Sequence, residues 1–325
     1  MMTKNYLSNQ RMLRLKPFFI LLLTLAVSLS SHADFKKLEA FGANPGDLEA
    51  SYFTPNIESP ALVVLLHGCA QQGDELAFQS GLFGLAKKHN FALLLPQQGL
   101  SNNIKRCFNW YSADDFTRDS GESDSIKNMI SQLKGQLGSK KVYIIGLSAG
   151  GAMASGMLAN YPALFTGGAV VAGIPFPCAE GLMTGISCMR NGPSQTADEL
   201  VTLVKKRNPK QTTWPKLSVW TGVNDSIVNP LNSSMLAQQW AILSALESKP
   251  IVNKKSGYTI THWQNSANET RVELIEVAHL GHGIMVNPQV ENGGEVSDYV
   301  LASPLSTVKH VVDFWQLSSI KSHEK

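Results

Sequence analysis

One stretch, residues 142–162, constrains the fold of this chain more than any other. A strand-forming run at 142–145 meets the pentapeptide Gly146-Leu147-Ser148-Ala149-Gly150, and small residues compatible with a helix follow at once. A strand, a tight turn and a helix in that order are typical of a nucleophile elbow, where a serine hydroxyl is held on a strained turn. A glycine-rich turn without chemistry is the alternative. The context on both sides favours Ser148 as a nucleophile.

The first 33 residues have the pattern of an export signal. An apolar run at 17–27 is followed by Ser31-His32-Ala33, which supplies small residues at positions −3 and −1. Four basic residues precede the run: Lys4, Arg11, Arg14 and Lys16. The pattern predicts a signal peptide cleaved before Asp34, and therefore a secreted or periplasmic protein. An uncleaved membrane anchor is the alternative, although the apolar run is short for a span.

Removal of this segment changes the charge balance. The chain has 28 Lys and Arg against 25 Asp and Glu, and the first 33 residues hold four of the basic residues and no acidic one, so 24 remain against 25. A net charge of −1 leaves no basic face of the kind that binds nucleic acid. We expect a neutral or weakly charged substrate, no nucleic-acid partner and no stable membrane insertion after cleavage.

The remaining residues, 34–325, are enough for one large domain. Short apolar runs predict strands at 61–66, 91–95, 142–145, 170–172, 217–220 and 272–277, with Pro96 ending the second. Helical patterns cover 74–89, 123–137, 231–246 and 307–317, and two long irregular stretches cover 97–121 and 174–192. Strands that alternate with helices predict an α/β fold, with a mostly parallel, doubly wound sheet and helices on both faces.

A serine nucleophile needs a base, and the base needs a carboxylate that fixes its tautomer. Asp225 follows the predicted strand at 217–220, and His282 follows the strand at 272–277. Both lie just past the carboxyl ends of strands, where open α/β sheets place their sites. Asp225 could instead cap its own turn, and His279 competes with His282 as the base. Other acids lie outside the Ser, Asp, His order: Asp114, Asp115, Asp119, Asp298 and Asp313.

Hydrolysis also requires donors for the developing oxyanion. The backbone N–H of Ala149 is one candidate, and that of Cys69, in the loop after the strand at 61–66, is the second. Gly68 lets that loop turn sharply, and His67 is interpreted as a packing residue at the strand end. The eight histidines show no metal-ligand spacing, and no glycine-rich phosphate loop occurs, so neither a metal nor a cofactor is expected.

Four cysteines in an exported chain indicate two disulfides, with three possible connectivities. Cys178 and Cys188 are close in sequence and are predicted to join one loop, which leaves Cys69 with Cys107. Four buried free thiols are the alternative.

Several motifs together resemble the polyhydroxybutyrate depolymerase-like esterases, which are secreted α/β-hydrolases related to feruloyl and acetylxylan esterases. The resemblance spans roughly residues 40–318 and is carried by segments at 65–71, 96–98, 107–110, 121–122, 146–151, 220–225 and 281–288. It implies an α/β-hydrolase fold, a triad of Ser148, Asp225 and His282, and an oxyanion hole at Cys69 and Ala149. The histidine loop at 281–288 favours His282 over His279.

By the same resemblance, Trp110 would line the acyl or polymer subsite, since an aromatic face can cover an aliphatic ester chain. A core-capping role is the alternative. The sequence departs from the family at Phe108, where relatives often have Trp, and lacks both a cysteine in 289–294 and an appended substrate-binding module.

The resemblance therefore implies ester hydrolysis, with poly(3-hydroxybutyrate)-type polyesters or 3-hydroxyacyl oligomers as the expected substrates. A feruloyl or acetylxylan-type carbohydrate esterase is the enzymatic alternative. A non-catalytic secreted binding protein is the alternative of another class.

Overall fold

A large mixed β-sheet organises the part of the chain that the computed structural model describes, residues 1–2, 35–246 and 248–318. Its strands are β1 (Lys36–Lys37), β2 (Glu49–Phe53), β3 (Leu62–Leu66), β4 (Ala92–Gln97), β5 (Val142–Leu147), β6 (Gly167–Val171), β7 (Lys216–Gly222), β8 (Ile251–Lys255), β9 (Tyr258–Gln264) and β10 (Thr270–Val277). They lie in the order β1-β2-β4-β3-β5-β6-β7-β10-β9-β8. A separate pair, β11 (Ile284–Val286) and β12 (Val300–Ala302), runs parallel.

The centre of the sheet is parallel and its margins are antiparallel. Neighbours from β4 through β3, β5, β6 and β7 to β10 pair in parallel, whereas β2 and β9 pair antiparallel to the strands inside them. The predicted mostly parallel α/β-hydrolase sheet is therefore confirmed.

Helices cover both faces of the sheet. They are α1 (Gly73–Gln79), α2 (Leu82–His89), α3 (Ala113–Phe116), α4 (Gly121–Leu137), α5 (Ala149–Asn160), α6 (Leu182–Asn191), α7 (Ala197–Arg207), α8 (Leu231–Leu243) and α9 (Thr307–Phe314), with a 3₁₀ helix at Pro162–Leu164. Successive residues of a strand point to opposite faces, so Val64 of β3 packs in one apolar layer and Val63 in the other. The first layer includes residues of α4, α5 and α8, and the second includes residues of α2 and α9.

Several element boundaries differ from the sequence prediction. The helix expected at 74–89 is two helices, because Gly81 adopts φ 85° between α1 and α2. Pro96 does not end its strand but lies inside β4. The pairing of β4 with β3 reaches only Leu94, so at Pro96 the ladder continues with Ala50 of β2 alone, and one missing N–H is tolerated there.

Three further segments differ from the sequence prediction. The stretch at 174–192, expected to be irregular, contains α6, and the helices expected to reach 246 and 317 end at Leu243 and Phe314.

The predicted signal peptide and its cleavage before Asp34 lie outside the described residues, apart from Met1 and Met2. Contacts group the described residues from Phe35 onward as one compact unit. Within the described part of the chain, none of the helices has the length and apolar character that a membrane crossing requires.

Candidate active site

Ser148 occupies a strained turn between β5 and α5. Its backbone adopts φ 56° and ψ −118°, outside the regions that a side-chain-bearing residue favours, and its N–H donates to the carbonyl oxygen of Val171 at 2.9 Å. A Cβ on Gly146 would collide with the backbone of Gly150, and one on Gly150 would collide with the carbonyl oxygen of Leu66. Close packing of the turn therefore requires both glycines and holds the serine at the carboxyl end of β5.

Ser148, His282 and Asp225 form one chain of hydrogen bonds. The Ser148 hydroxyl lies 2.8 Å from Nε2 of His282, and Nδ1 of His282 lies 2.7 Å from Oδ2 of Asp225. The Asp225 and His282 side chains are 0% and 7% exposed, so water competes little for these bonds. With Nδ1–H donating to the carboxylate, Nε2 is left free to accept the serine proton.

Asp225 serves its own turn and His282 at once. Its Oδ1 accepts the backbone N–H groups of Ile227 and Val228, each at 2.9 Å, while Oδ2 contacts His282. The two interpretations of Asp225, turn cap and triad acid, are therefore compatible. The competing histidine, His279, is exposed, has φ 62° and makes none of the hydrogen bonds found among the described residues.

The loop after β3 lies over Ser148. A Cβ on Gly68 would lie 3.5 Å from Cβ of Ser148, and the Gly68 N–H is occupied by Oε1 of Gln71 at 2.8 Å. Among the hydrogen bonds of the described residues, none is donated by the backbone N–H of Cys69 or of Ala149. Both residues line the same cavity as Ser148, so this cavity is bordered by two residues whose backbone N–H groups have no partner among the described residues.

Two links tie this loop to the segment that carries Trp110. Cys69 forms a disulfide with Cys107, and the Ala70 N–H donates to the carbonyl oxygen of Lys105 at 2.7 Å. The second disulfide joins Cys178 to Cys188 at the end of α6. Both pairs agree with the sequence prediction.

His67 holds the loop after β3 in place through two hydrogen bonds. Its Nδ1–H donates to the carbonyl oxygen of Gly68 at 2.7 Å, and its Nε2 accepts the backbone N–H of Gln98 at 3.1 Å. Its ring lies 4.9 Å from the Phe108 ring. Burial lowers the pKa of His67 to about 4, despite the opposing hydrogen bond to Gly68, so the ring is neutral at pH 7. His67 is buried, as predicted, but it is also a hydrogen-bonding support.

A buried carboxylate, which sequence reasoning did not identify as important, holds the Trp110 segment. Glu122 accepts the backbone N–H and the side-chain amide of Asn109, each at 2.8 Å, and the side-chain amides of Gln98 and Asn102. The Gln98 amide also donates to the carbonyl oxygen of Cys107 at 3.2 Å. Burial raises the pKa of Glu122 to about 8, against the effect of these donors. Its place directly after Gly121, in the segment 121–122 that carries part of the family resemblance, was the signal available in the sequence.

The cavity above Ser148 has a volume of about 360 Å³. Trp110 lines it although the side chain is only 8% exposed and belongs to the apolar core, so both interpretations of Trp110 describe its position. Lys105 and Tyr299 also line the cavity and were not identified from the sequence. Further apolar walls come from Ile174, Met189, Ile227 and Val228.

Within the described residues, no group of three or more His, Cys, Asp or Glu side chains is arranged to hold a metal ion.

Known proteins resemble this chain along most of its length. The sequence model of one family, described as "Esterase PHB depolymerase", matches residues 49–261. A poly(3-hydroxyalkanoate) depolymerase C from Paucimonas lemoignei is 35% identical over 293 residues, covering 86% of this chain and 69% of that protein. A feruloyl esterase B from Talaromyces stipitatus is 27% identical, covering 83% of this chain and 78% of that protein.

Among solved structures, an acetyl xylan esterase from Aspergillus awamori superposes with a TM-score of 0.71 at 20% sequence identity. The match covers 87% of this chain and 99% of that one. At this identity the likeness concerns the fold.

Proposed function

Because the chain belongs to the PHB depolymerase family of esterases and is a carboxylic ester hydrolase, we propose that Ser148, His282 and Asp225 carry out its reaction. The observation that carries this proposal is the unbroken hydrogen-bond chain from Ser148 through His282 to the buried Asp225 carboxylate. The family assignment also argues against the non-catalytic alternative.

In the acylation step, His282 Nε2 takes the proton of the Ser148 hydroxyl as the oxygen attacks the ester carbonyl carbon. The Asp225 carboxylate fixes the ring through Nδ1–H and stabilises the positive charge that the ring acquires. The carbonyl oxygen becomes an oxyanion, which the N–H groups of Cys69 and Ala149 stabilise. The tetrahedral intermediate then expels the alcohol, which leaves with the proton held on Nε2.

In the deacylation step, water replaces the alcohol. His282 removes a proton from the water as its oxygen attacks the acyl carbon, and the same two N–H groups stabilise the second oxyanion. The acid product leaves as Ser148 regains its proton. The two half-reactions together consume one water per ester bond and return the enzyme unchanged.

For the substrate we propose 3-hydroxyacyl polyesters of the poly(3-hydroxybutyrate) type or their oligomers. The 35% identity with a poly(3-hydroxyalkanoate) depolymerase supports this choice. An apolar cavity that includes Trp110 beside Ser148 suits a short aliphatic acyl group. A feruloyl or acetylxylan-type esterase is the second candidate, favoured by relatives at 27% and 26% identity.

We also propose that the enzyme works outside the cytoplasm, in a periplasm or the medium. The two disulfides support this location, because such bonds persist in oxidising compartments.

The experiment is release of 3-hydroxybutyrate from amorphous poly(3-hydroxybutyrate), with methyl ferulate in parallel. We expect Ser148→Ala to lower kcat by roughly 10⁴- to 10⁶-fold. Ser155→Ala is the matched control, because Ser155 lies in the same α5, is buried, and its hydroxyl has no partner among the described residues. Polymer hydrolysis that survives Ser148→Ala would contradict the mechanism, and cleavage of ferulate alone would select the second candidate.

A further inference from the structure

A second cavity adjoins the one above Ser148. Its volume is about 480 Å³, and it shares four lining residues with the catalytic cavity: Cys69, Ala70, Gln71 and Tyr299. The turn at 69–71 thus forms a wall common to both, and it contains one of the two N–H groups proposed to stabilise the oxyanion. A substrate whose ester lies at Ser148 can therefore extend into both cavities.

Tyr299 places the second cavity on the His282 side of Ser148. The Tyr299 ring packs edge-on against the His282 ring, with 6.0 Å between centroids, and it lines both cavities. His282 is the group that protonates the departing alcohol in the proposed reaction, so the alcohol leaves on the side of the serine where the imidazole lies. The second cavity is therefore next to the leaving group.

The two cavities differ in polarity and in charge. Apolar side chains dominate the catalytic cavity, where Lys105 is at the wall, whereas amide, hydroxyl and carboxylate groups make up about half of the lining of the second. These groups belong to Gln72, Glu75, Gln79, Ser297 and Asp298.

The polar groups are only partly engaged with one another. Ser297 Oγ donates to Gln79 Oε1 at 2.8 Å, and the Gln72 amide donates to Glu75 Oε1 at 3.3 Å. Asp298 makes none of the hydrogen bonds or ion pairs found among the described residues. Neither carboxylate has a cationic partner among the described residues, so the cavity has an uncompensated negative charge.

We infer that the second cavity is the leaving-group subsite of this esterase, and that it accepts uncharged polar alcohols and rejects those that bear a carboxylate. The inference rests on the proposed function. In a polyester of hydroxy acids, the alcohol side of each bond leads toward the carboxyl terminus of the chain. Glu75 and Asp298 therefore oppose cleavage of the last bond, whose leaving group is a free hydroxy acid.

Three butyrate esters test this subsite: those of glycolamide, glycolic acid and propanol. Each kcat/KM is divided by the rate constant for hydroxide-catalysed hydrolysis of the same ester, which removes differences in intrinsic reactivity. At low salt we expect the normalised kcat/KM of the wild type to be about fivefold or more higher for the glycolamide ester than for the glycolate ester. The reason is that two nearby carboxylates at a solvent-exposed site repel the negatively charged leaving group. The propyl ester should also fall below the glycolamide ester.

The variant carrying both Glu75→Gln and Asp298→Asn should raise the ratio of the normalised kcat/KM of the glycolate ester to that of the glycolamide ester at least threefold. In the wild type, the preference for the glycolamide ester over the glycolate ester should shrink at high salt, because salt screens exposed charges. Glu39→Gln is the control, since Glu39 is exposed and lines neither cavity.

Equal normalised rates for the charged and neutral esters in the wild type, or a preference that persists in the double variant, would overturn the subsite while leaving the proposed function intact. A normalised kcat/KM that is higher for the propyl ester than for both other esters would also overturn the subsite. Failure to hydrolyse any of the three would overturn the proposed function and the subsite with it.

Discussion

Gln98 donates its backbone N–H to Nε2 of His67 at 3.1 Å, and the other ring nitrogen of His67 donates to the carbonyl oxygen of Gly68. The ring thus connects the end of β4 to the loop that carries the Cys69 N–H. Together the two bonds require the neutral ring with its proton on Nδ1, because a ring protonated at Nε2 as well would present N–H to N–H at Gln98. The shape of the loop with the proposed oxyanion donor is therefore coupled to the protonation state of His67.

The first prediction concerns stability in acid. Burial holds the pKa of His67 at about 4 in the folded chain, against about 6.5 when unfolded, so between these values the unfolded chain binds the extra proton. This contribution to stability is present above about pH 6.5 and is lost as the pH falls to about 4, amounting to about 3 kcal/mol. Over this pH window, the free energy of unfolding measured with urea should fall less for His67→Asn than for the wild type.

His279→Asn is the matched control for that experiment, because His279 is exposed and makes no hydrogen bond among those of the described residues. Its profile should parallel the wild type. A His67→Asn profile that also runs parallel to the wild type would contradict the assignment.

The second prediction concerns Glu122. Glutamine in its place directs an NH₂ group at donors from Asn109 or Gln98, which leaves at least one buried N–H without an acceptor. We expect Glu122→Gln to lower the free energy of unfolding by roughly 1–3 kcal/mol. We also expect it to lower kcat several-fold, because Trp110 follows Asn109 directly. Chemical unfolding and ester hydrolysis measure the two effects.

The pH dependence of Glu122 has the opposite sign to that of His67. Burial raises its pKa to about 8 in the folded chain, so the folded state binds more protons between about pH 4.5 and 8, and stability falls as the pH rises through that window. Glu122→Gln should remove this fall. The exposed Glu58→Gln should leave both stability and its pH profile unchanged.

The third prediction separates the two disulfides. Replacing Cys69 and Cys107 by serine opens a loop with a separation of 38 residues, worth about 4 kcal/mol of stability by chain entropy. The same change at Cys178 and Cys188, separated by 10 residues, is worth about 3 kcal/mol. Both variants should melt at lower temperature, but only the first should lose kcat several-fold at a temperature where both are folded.

That difference arises because the first disulfide holds the loop with the proposed oxyanion donor, whereas the second stabilises α6, which contributes Met189 to the cavity wall. Equal losses of kcat in the two variants would contradict a specific role for the first bond.

The fourth prediction compares two glycines inside helices. Gly135 in α4 is exposed and has open space where a Cβ would be, so Gly135→Ala should stabilise the protein by roughly 0.5–1 kcal/mol. A Cβ on Gly156 in α5 would collide with the Phe116 ring, so Gly156→Ala should destabilise it by roughly 1–3 kcal/mol. Thermal unfolding of the two variants should shift the midpoint in opposite directions.

The sequence predicted the central strands of the sheet. The segments that form β3, β5 and β10 are largely buried, so each could be recognised as a short apolar run. The strands β8 and β9 at the margin were missed, because all residues of β8 are exposed and those of β9 are half-buried, which leaves no apolar run. Helix α7 begins with a signal that is visible in the sequence, the capping box between Thr196 and Glu199.

The site residues also fall into those that the sequence could predict and those that it could not. Ser148, Asp225 and His282 each follow a predicted strand, so their meeting at one sheet edge could be anticipated. Tyr299 could not be, because the parallel pairing of β11 with β12 brings it beside His282, and neither strand is long enough to be predicted. The contacts of Glu122 could not be predicted either, although its place after Gly121 was a signal, since its donors come from three separate positions of one irregular loop.

The bond between Cys69 and Cys107 also bears on how the enzyme would mature. A chain still in a reducing compartment would lack this covalent link between the loop after β3 and the Trp110 segment. Folding, oxidation and the onset of catalysis would then be successive events, with the last dependent on the compartment that the chain has reached. If the proposed location and the third prediction both hold, the hydrolase would be latent where it is synthesised and fully active only at its destination.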